Sequence, residues 1–565
     1  MNRINFWIVA LVILITPTFY QLIRPGFFPM QDDLQAFRIN QTVKCLRDLQ
    51  IPCRWVPDMG YQYGYPQFNY YGPLPFYTGG ILNLLGVQII DTVKLLFILG
   101  FVLSAVAMFI FLRAFLDEKA AFFGSILYTY APYKAAEVYV RGSLSEFLTF
   151  IFLPLLFWST WQFIKLKKSK YLVWFSLTLS FLLTTHNLTS LIFLPILGVW
   201  ILLLTFQSSG WKALLKALLK IALATLLGLG LSAFYLLPAI FESRFVHLET
   251  LIGGYFDYRQ HFVSLYQLFI SNYFGYGSSV FGLADEVTLS TGPLHWILAA
   301  LAVVLSFVLY KKYKKLVSLI WVLAAVELVV LFMIHQKSSF IWQNLGFLIW
   351  LQFPWRFLID SVFLLSILGA CAIFLLSKIN WKLAMGVGLI AIVLVMAWHG
   401  SFFRPKSWLN ITDSDKFSGQ SWEKQLTISI FDYLPIFAKL PPNKKAPILP
   451  EVLVGEADFK NYQKGSNFQK GEVEVKEDAV MRAPIFDFPG MTVLANGQLI
   501  PHKHDDCRNL EYCLGLVTFS LPVGNYNFEI KLQDTPIRQL GNIISIGSLF
   551  SLYFLGFKYA NKKFS

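Results

Sequence analysis

Leu74-Pro75-Phe76-Tyr77-Thr78-Gly79-Gly80-Ile81-Leu82-Asn83-Leu84-Leu85-Gly86-Val87 decides how this chain is threaded. The stretch is apolar, but a helix of this length, at about 1.5 Å per residue, falls short of the ~30 Å hydrocarbon core of a bilayer. Counted as a crossing, it would put the basic loops at Lys165, Lys212 and Lys311 on the same side as an acidic pair, Asp32 and Asp33. Read as a helix lying along or partly entering the outer surface, it restores positive-inside order at every later loop.

The composition around it points the same way. Of 565 residues, 56% are hydrophobic and only 14% charged, which excludes an ordinary soluble globule. The net charge of +14 is no nucleic-acid signature, because Lys and Arg fall in short clusters between apolar spans, as at Lys165 to Lys170 and Lys311 to Lys315.

Working outward, spans of crossing length lie near residues 93–115, 120–136, 143–164, 171–186, 188–206, 215–238, 293–310, 316–334, 357–377, 381–399 and 540–557. The segment from Phe6 to Tyr20 adds a retained first helix, since Ile23-Arg24-Pro25-Gly26 follows it in place of a small-residue cleavage site. The expectation is a polytopic α-helical membrane protein of about twelve transmembrane helices, with Arg3 and the N-terminus in the cytoplasm. Asp33, Arg141, His186 and Arg356 then lie on outward loops, together with 239–292 and 400–539.

Residues 400–539 change character. Alternation appears in Glu472-Val473-Glu474-Val475 and Tyr526-Asn527-Phe528-Glu529-Ile530, and Asn496-Gly497 between Val493-Leu494 and Leu499-Ile500 is a strong hairpin signal. The expected organisation is a transmembrane domain over 1–399 with a first outer loop at 24–92, an extracytoplasmic β-sandwich over 400–539, and a last transmembrane helix and cytoplasmic tail over 540–565. Localisation to the plasma membrane, among membrane lipids and away from nucleic acid, goes with it.

Cys45 and Cys53 share the first outer loop, Cys507 and Cys513 share the β region, and Cys371 stands alone in a helix. Two local disulfides suit an oxidising compartment; four free thiols are the other reading.

Carboxylates at the mouth of a membrane protein cost solvation energy, so Asp32 and Asp33 are functional candidates. A sugar hydroxyl is a poor nucleophile near neutral pH, and transfer to it from an activated donor needs a carboxylate base and cations for the departing phosphate. Asp33 and Asp32 are the catalytic candidates, with a helix cap at Leu34 as the alternative for Asp32. Arg356, after Pro354, offers a planar fork for phosphate, or snorkels to lipid headgroups. Arg141 and Glu146, with Glu137 before them, are substrate-binding candidates or partners of one another. His186, in Thr184-Thr185-His186-Asn187-Leu188-Thr189, is a candidate sugar or carboxylate ligand or a structural helix-end histidine. Tyr65, in the aromatic stretch Gly60 to Pro66, is a further substrate-binding candidate.

Two adjacent carboxylates are also compatible with a divalent cation. His502-Lys503-His504-Asp505-Asp506-Cys507 has metal-ligand residue types but no zinc-motif spacing, and reads as an exposed loop. Asn40, Asn187 and Asn410 begin glycosylation sequons that are common by chance.

The residues Asp32-Asp33, Pro52-Cys53-Arg54-Trp55-Val56-Pro57, Tyr63-Gly64-Tyr65-Pro66, Phe68-Asn69-Tyr70-Tyr71-Gly72-Pro73-Leu74-Pro75, Ala131-Pro132-Tyr133, Tyr139-Val140-Arg141-Gly142, Glu146 and Phe353-Pro354-Trp355-Arg356 carry a resemblance. The chain resembles bacterial multispanning proteins of the GT-C glycosyltransferase superfamily, in the group labelled membrane proteins related to 6-pyruvoyl-tetrahydropterin synthase. Phe486-Asp487-Phe488-Pro489-Gly490 is similar to the YfhO-like proteins. Many members of the group carry His-Asp in the first loop, where Gln31 precedes Asp32 here. The label is not chemistry: nothing in this chain matches the histidine-bound zinc of the soluble pterin synthase.

The resemblance implies a polyprenyl-phosphate sugar donor, an acidic residue in the first outer loop, and surface helices between the first two spans. The leading expectation is an inverting glycosyltransferase with a lipid, glycan or protein acceptor, Asp33 as base, and Arg356 and Arg141 at the donor phosphate. The alternatives are a non-catalytic transporter or binder of lipid-linked saccharide, and a membrane-anchored protein with an adhesive β domain.

Overall fold

The computed structural model describes residues 3–208, 211–280, 285–428 and 431–561, so the end of the expected cytoplasmic tail and the side chains of Arg3 and Lys212 lie outside the description. Among the described residues, seven helices are long and apolar enough to cross a membrane: Ile89–Leu112, Leu144–Leu166, Asn187–Gln207, Leu214–Leu231, Lys314–Ile334, Pro354–Ile379 and Trp381–Phe402. The shorter apolar helices Ile4–Thr18 and Pro293–Leu309, with Lys170–Thr185 and Pro536–Asn561, occupy other expected spans.

The span expected over 120–136 is broken. Glu118–Thr129 stops short of Pro132, which has no N–H to donate and holds Ala131 extended while it starts a new turn, Pro132–Ala136. A π-helical turn, Glu137–Arg141, follows, and Gly142 ends it at φ 65°. A Cβ on Gly142 would lie 2.2 Å from Met30 Sδ, so the first loop can pack here only against glycine.

Leu358–Ile379 is the axis of the helical body, almost wholly buried among Glu118–Thr129, Pro293–Leu309, Lys314–Ile334 and Trp381–His399. Small residues set that packing: a Cβ on Gly124 would come within 2.7 Å of the Ala370 methyl. Leu74–Leu84 is a separate helix of 11 residues, about 17 Å long, too short to cross. It packs on Gln35–Arg47 and on Ile89–Leu112. The backbone N–H groups of Ile89 and Ile90 donate to the two Asp413 carboxylate oxygens at 2.7 and 3.0 Å, a cap supplied from far along the chain.

The β region begins later than expected. Residues 435–450 carry five prolines, and the backbone before Glu451 is irregular apart from short helices such as Asp413–Lys416 and Gly419–Thr427. Seven strands then form one antiparallel sheet: β1 (Glu451–Lys464), β2 (Phe468–Phe486), β3 (Met491–Ala495), β4 (Gln498–Ile500), β5 (His502–His504), β6 (Leu516–Leu521) and β7 (Gly524–Leu532).

The expected sandwich takes the form of a single sheet continued through β2, whose first half pairs with β7 and second half with β6, while β1 pairs along it. Asn496 and Gly497, both at positive φ, make the expected β3–β4 hairpin. Buried Val473, Val475, Ala479, Met481, Ala483 and Ile485 alternate along one face of β2. First-loop aromatics join that core, with Trp55 5.8 Å from Phe488 and Tyr63 5.6 Å from Phe486 between ring centres. Gly64, at φ 86°, lets its backbone pass where a Cβ would meet the Trp55 indole at 2.1 Å. Both local cysteine pairs are bridged, and Cys371 is buried.

Candidate functional site

The π turn and the helix after it bring opposite charges together where water is scarce. Arg141 pairs with Glu137 through Nη1, and its Nη2 donates to Glu146 Oε2 at 3.0 Å. Tyr133 donates its hydroxyl to Glu146 Oε1 at 3.0 Å, and Arg356 Nε reaches Glu146 Oε2 at 3.4 Å. One carboxylate, 1% exposed, therefore sits between two guanidinium groups.

Removing any one charge here would strand its neighbour in a low-dielectric setting, at about 3–5 kcal/mol. The aromatic turn holds the cations in place. Pro354 starts a single 3₁₀ turn, Pro354–Phe357, and Phe353 just before it stacks on Trp355 within it at 4.6 Å between ring centres. Arg141 lies over Trp355 at 4.5 Å and Arg356 over Phe353 at 5.0 Å. Arg356 Nη1 also donates to the Leu351 carbonyl and to Gln352 Oε1 at 3.0 Å, so it is fixed within the protein, not snorkelled.

His186 joins this group electrostatically through Glu146, Arg356 and Arg141. It stands between Lys170–Thr185 and the following helix, where its Nδ1 accepts the Thr189 N–H at 3.3 Å and lies 2.7 Å from Thr189 Oγ1. The Nδ1 contacts are those of a helix cap, which leaves Nε2 as the nitrogen available for a ligand.

The acidic pair docks directly onto the π turn. Backbone N–H groups of Gln31 and Asp32 donate to the carbonyls of Val140 and Arg141 at 3.0 and 2.8 Å. Asp32 does not cap the following helix, which has no side-chain cap. Its carboxylate accepts from Arg38 Nη1 at 2.9 Å and Gln35 Nε2 at 2.8 Å. Arg38 lies 4.3 Å over the Tyr71 ring, and Tyr71 interacts electrostatically with Arg38, Asp32 and Arg356, joining the two halves of the site.

Asp33 turns elsewhere. Its Oδ2 accepts from Lys416 Nζ at 2.6 Å. Burial pushes the Asp33 carboxyl above its ordinary value, and the Lys416 ammonium only partly offsets this. The two carboxylates thus engage different cations. Among the described residues no group of three His, Cys, Asp or Glu is arranged to hold a metal.

Tyr65 is fully buried, its backbone paired with Val56 in both directions, and its phenol interacts electrostatically with Arg38. The His502 to Cys507 run disperses: His502 lies 3.5 Å from Asp487, His504 stacks on Phe437, and Cys507 is bridged to Cys513.

Two residues that the linear reading did not single out, Arg38 and Lys416, complete the site, with Tyr133 and Trp355, which it quoted for the resemblance alone. Arg38 had a local signal, standing six residues after Asp32 near the start of the helix Gln35–Arg47. Lys416, 383 residues from Asp33, had none. The helical body also encloses Lys134, Asp360, His295 and His399 besides Glu327, all buried, which a count of internal charges by sequence underestimates.

The family described as "6-pyruvoyl-tetrahydropterin synthase related domain; membrane protein" matches residues 68–402. An uncharacterized protein of Lactococcus lactis subsp. cremoris (strain MG1363) is 24% identical over 242 residues, which are 42% of this chain and 39% of that protein's length. Among solved structures, the arabinofuranosyltransferase AftD from Mycobacteria is similar at TM-score 0.48 and 15% identity, over 73% of this chain and 28% of AftD. The oligosaccharyltransferase AglB from Archaeoglobus fulgidus, in complex with an inhibitory peptide and a dolichol-phosphate, is similar at 0.46 and 11%, over 79% and 61%. ArnT from Cupriavidus metallidurans, bound to undecaprenyl phosphate, is similar at 0.38 and 12%, over 70% and 64%. At TM-scores below 0.5 these likenesses carry no argument about activity.

Proposed function

The chain belongs to the 6-pyruvoyl-tetrahydropterin synthase related family of membrane proteins, and from that premise we propose that this multi-pass membrane protein is an inverting glycosyltransferase using a polyprenyl-phosphate-linked sugar. The observation that carries the proposal is the docking of Asp32 on the Arg141 carbonyl, which sets the acidic pair beside the Arg141–Glu146–Arg356 cluster. A carboxylate base and phosphate-binding cations are what a sugar transfer requires of one site.

In the reaction, the acceptor hydroxyl oxygen attacks the anomeric carbon and the carbon–oxygen bond to phosphate breaks. Asp33 takes the hydroxyl proton, and the polyprenyl phosphate leaves with the bonding electrons. The carboxyl's upward-shifted affinity for protons suits it to that role. Arg141 and Arg356, both fixed by Glu146, stabilise charge developing on the phosphate. Asp32 positions Arg38 and the loop. The acceptor is a lipid, glycan or protein on the extracytoplasmic face of the plasma membrane, and His186 Nε2 hydrogen-bonds a sugar.

A second reading, a transporter or binder of lipid-linked saccharide, draws on the buried Lys134, Asp360 and Glu327 inside the helical body. One assay separates them: transfer of radiolabelled sugar from a panel of polyprenyl-phosphate donors in proteoliposomes, wild type against Asp33→Asn. Transfer that falls by about 100-fold or more in the variant supports the enzyme and its base. Equal transfer by both removes Asp33 from catalysis, and saturable donor binding without transfer selects the second reading.

A further inference from the structure

A cavity of about 520 Å³ opens at the seam between the first loop and the sheet, away from the charge cluster. Tyr63 comes to it from the aromatic loop stretch; Glu451, Arg482, Asp505, Tyr512 and Asn443 come from the sheet and the segment leading into it. The volume lies within the ~300–1,000 Å³ range of small-ligand sites.

Arg482 joins two of the carboxylates at the wall, where Lys444 and Asp506 also stand. Arg482 Nε donates to Glu451 Oε2 at 3.0 Å, and Arg482 Nη1 lies 3.7 Å from Asp505 Oδ2. Asp505 also accepts from the Leu516 N–H and the Thr518 hydroxyl, each at 3.2 Å, and is held rigidly. With two cationic and three anionic side chains around it, and Asp506 held by Arg508 outside it at 2.7 Å, the cavity carries no strong excess of either sign and is rich in oriented donors and acceptors.

Tyr512 supplies the ring that an apolar sugar face requires, while Tyr63, buried against Phe486, supplies only its hydroxyl. Burial pushes the Tyr63 hydroxyl up to about 12, so it stays a neutral donor. Tyr512 accepts the Asn443 N–H at 3.1 Å through its hydroxyl and keeps its ring 40% exposed. The Cys507–Cys513 bridge closes the turn that presents Tyr512.

We propose that this cavity is a saccharide-binding site for an uncharged oligosaccharide, stacked on Tyr512 and hydrogen-bonded by the Arg482–Glu451 pair, Asp505 and Tyr63. As the docking place of a glycan acceptor it rests on the transfer reading; as a binding site it does not, because binding is measured without any donor.

The test is saturation-transfer NMR on the full chain in nanodiscs with cellotetraose, chitotetraose, maltotetraose and α-1,6-mannotetraose, each alone. At least one receives saturation, the signal falls by about tenfold in Tyr512→Ala, survives in Tyr512→Phe, and falls at least about threefold in Glu451→Ala. Saturation of none of the four, an unchanged signal in Tyr512→Ala and Glu451→Ala, or preference for tetralysine or a sulfated tetrasaccharide overturns the proposal. Binding without transfer in the donor assay leaves this site standing and removes only its role as an acceptor site.

Discussion

Arg141–Glu146 in the loop cluster and Arg482–Glu451 on the sheet are the same kind of pair, each with a guanidinium N–H donating at 3.0 Å, yet their surroundings differ sharply. The first pair is 12% and 1% exposed, the second 34% and 47%. Spacing alone says nothing about importance. An exposed pair trades water for a partner at little gain, whereas a buried pair is indispensable once each charge has lost its water. The buried cluster also converges several elements on one carboxylate, while the Arg482–Glu451 pair joins two neighbouring strands.

The comparison breaks most directly at Glu146. Glu146→Gln leaves Arg141 and Arg356 short of a counter-charge, and the loss of unfolding free energy is expected at about 3–5 kcal/mol, with donor transfer abolished. Chemical unfolding followed by tryptophan fluorescence in detergent measures it, and a loss no larger than that at an exposed pair would refute the argument from burial.

Next in size is the sheet's own tether. Cys507→Ser with Cys513→Ser opens a short loop at about 2 kcal/mol. Hydrogen exchange should show reduced protection within 451–532 and unchanged protection in Leu358–Ile379; spread into that helix would mean the two regions unfold as one.

Asp32→Asn sharpens the contrast at intermediate exposure. Its carboxylate is 34% exposed while Arg38 is 6%, so the expected cost, discounted for solvent, is about 1–2 kcal/mol in the same unfolding experiment.

Asp33 gives the pH dependence. Its carboxyl is raised in the fold, chiefly by burial, so its ionised form, the base, is lost as pH falls through a value above that of an ordinary aspartate. The acid limb of the transfer rate should therefore lie above the ordinary aspartate range and vanish in Asp33→Asn; a limb at the ordinary value would assign the base elsewhere. Smallest of all, Glu451→Gln should change unfolding free energy by no more than about 0.5 kcal/mol, since both partners keep access to water.

Much of this was legible in the sequence where the signal is local. The shortness of Leu74–Leu84 and the Asn496-Gly497 turn follow from neighbours along the chain, and the bridged cysteine pairs were legible there as one of two readings. Arg141, Glu146 and Arg356 could each be singled out by being charged near an apolar run, but that one carboxylate serves both arginines depends on how Leu144–Leu166 meets the Pro354 turn. Lys416 was invisible because it belongs to a stretch whose composition reads as the approach to a β domain. The break at Pro132 had its signal in Ala131-Pro132, outweighed by the apolar residues on either side. Strand alternation marked the buried face of β2 but not its partners, and so suggested two packed sheets where β2 threads a single one.

The Asp413 cap on Ile89 and Ile90 has a consequence for how the molecule is made. The carboxylate that completes the start of that helix is encoded 324 residues after it, and Lys416 follows Asp33 by 383. At about 5–20 residues per second, roughly 20–80 s of synthesis separate Asp33 from its counter-ion. The nascent chain thus inserts its early helices with that end still open, and the acidic pair acquires its finished surroundings only when ribosomes have passed the last of the central helices.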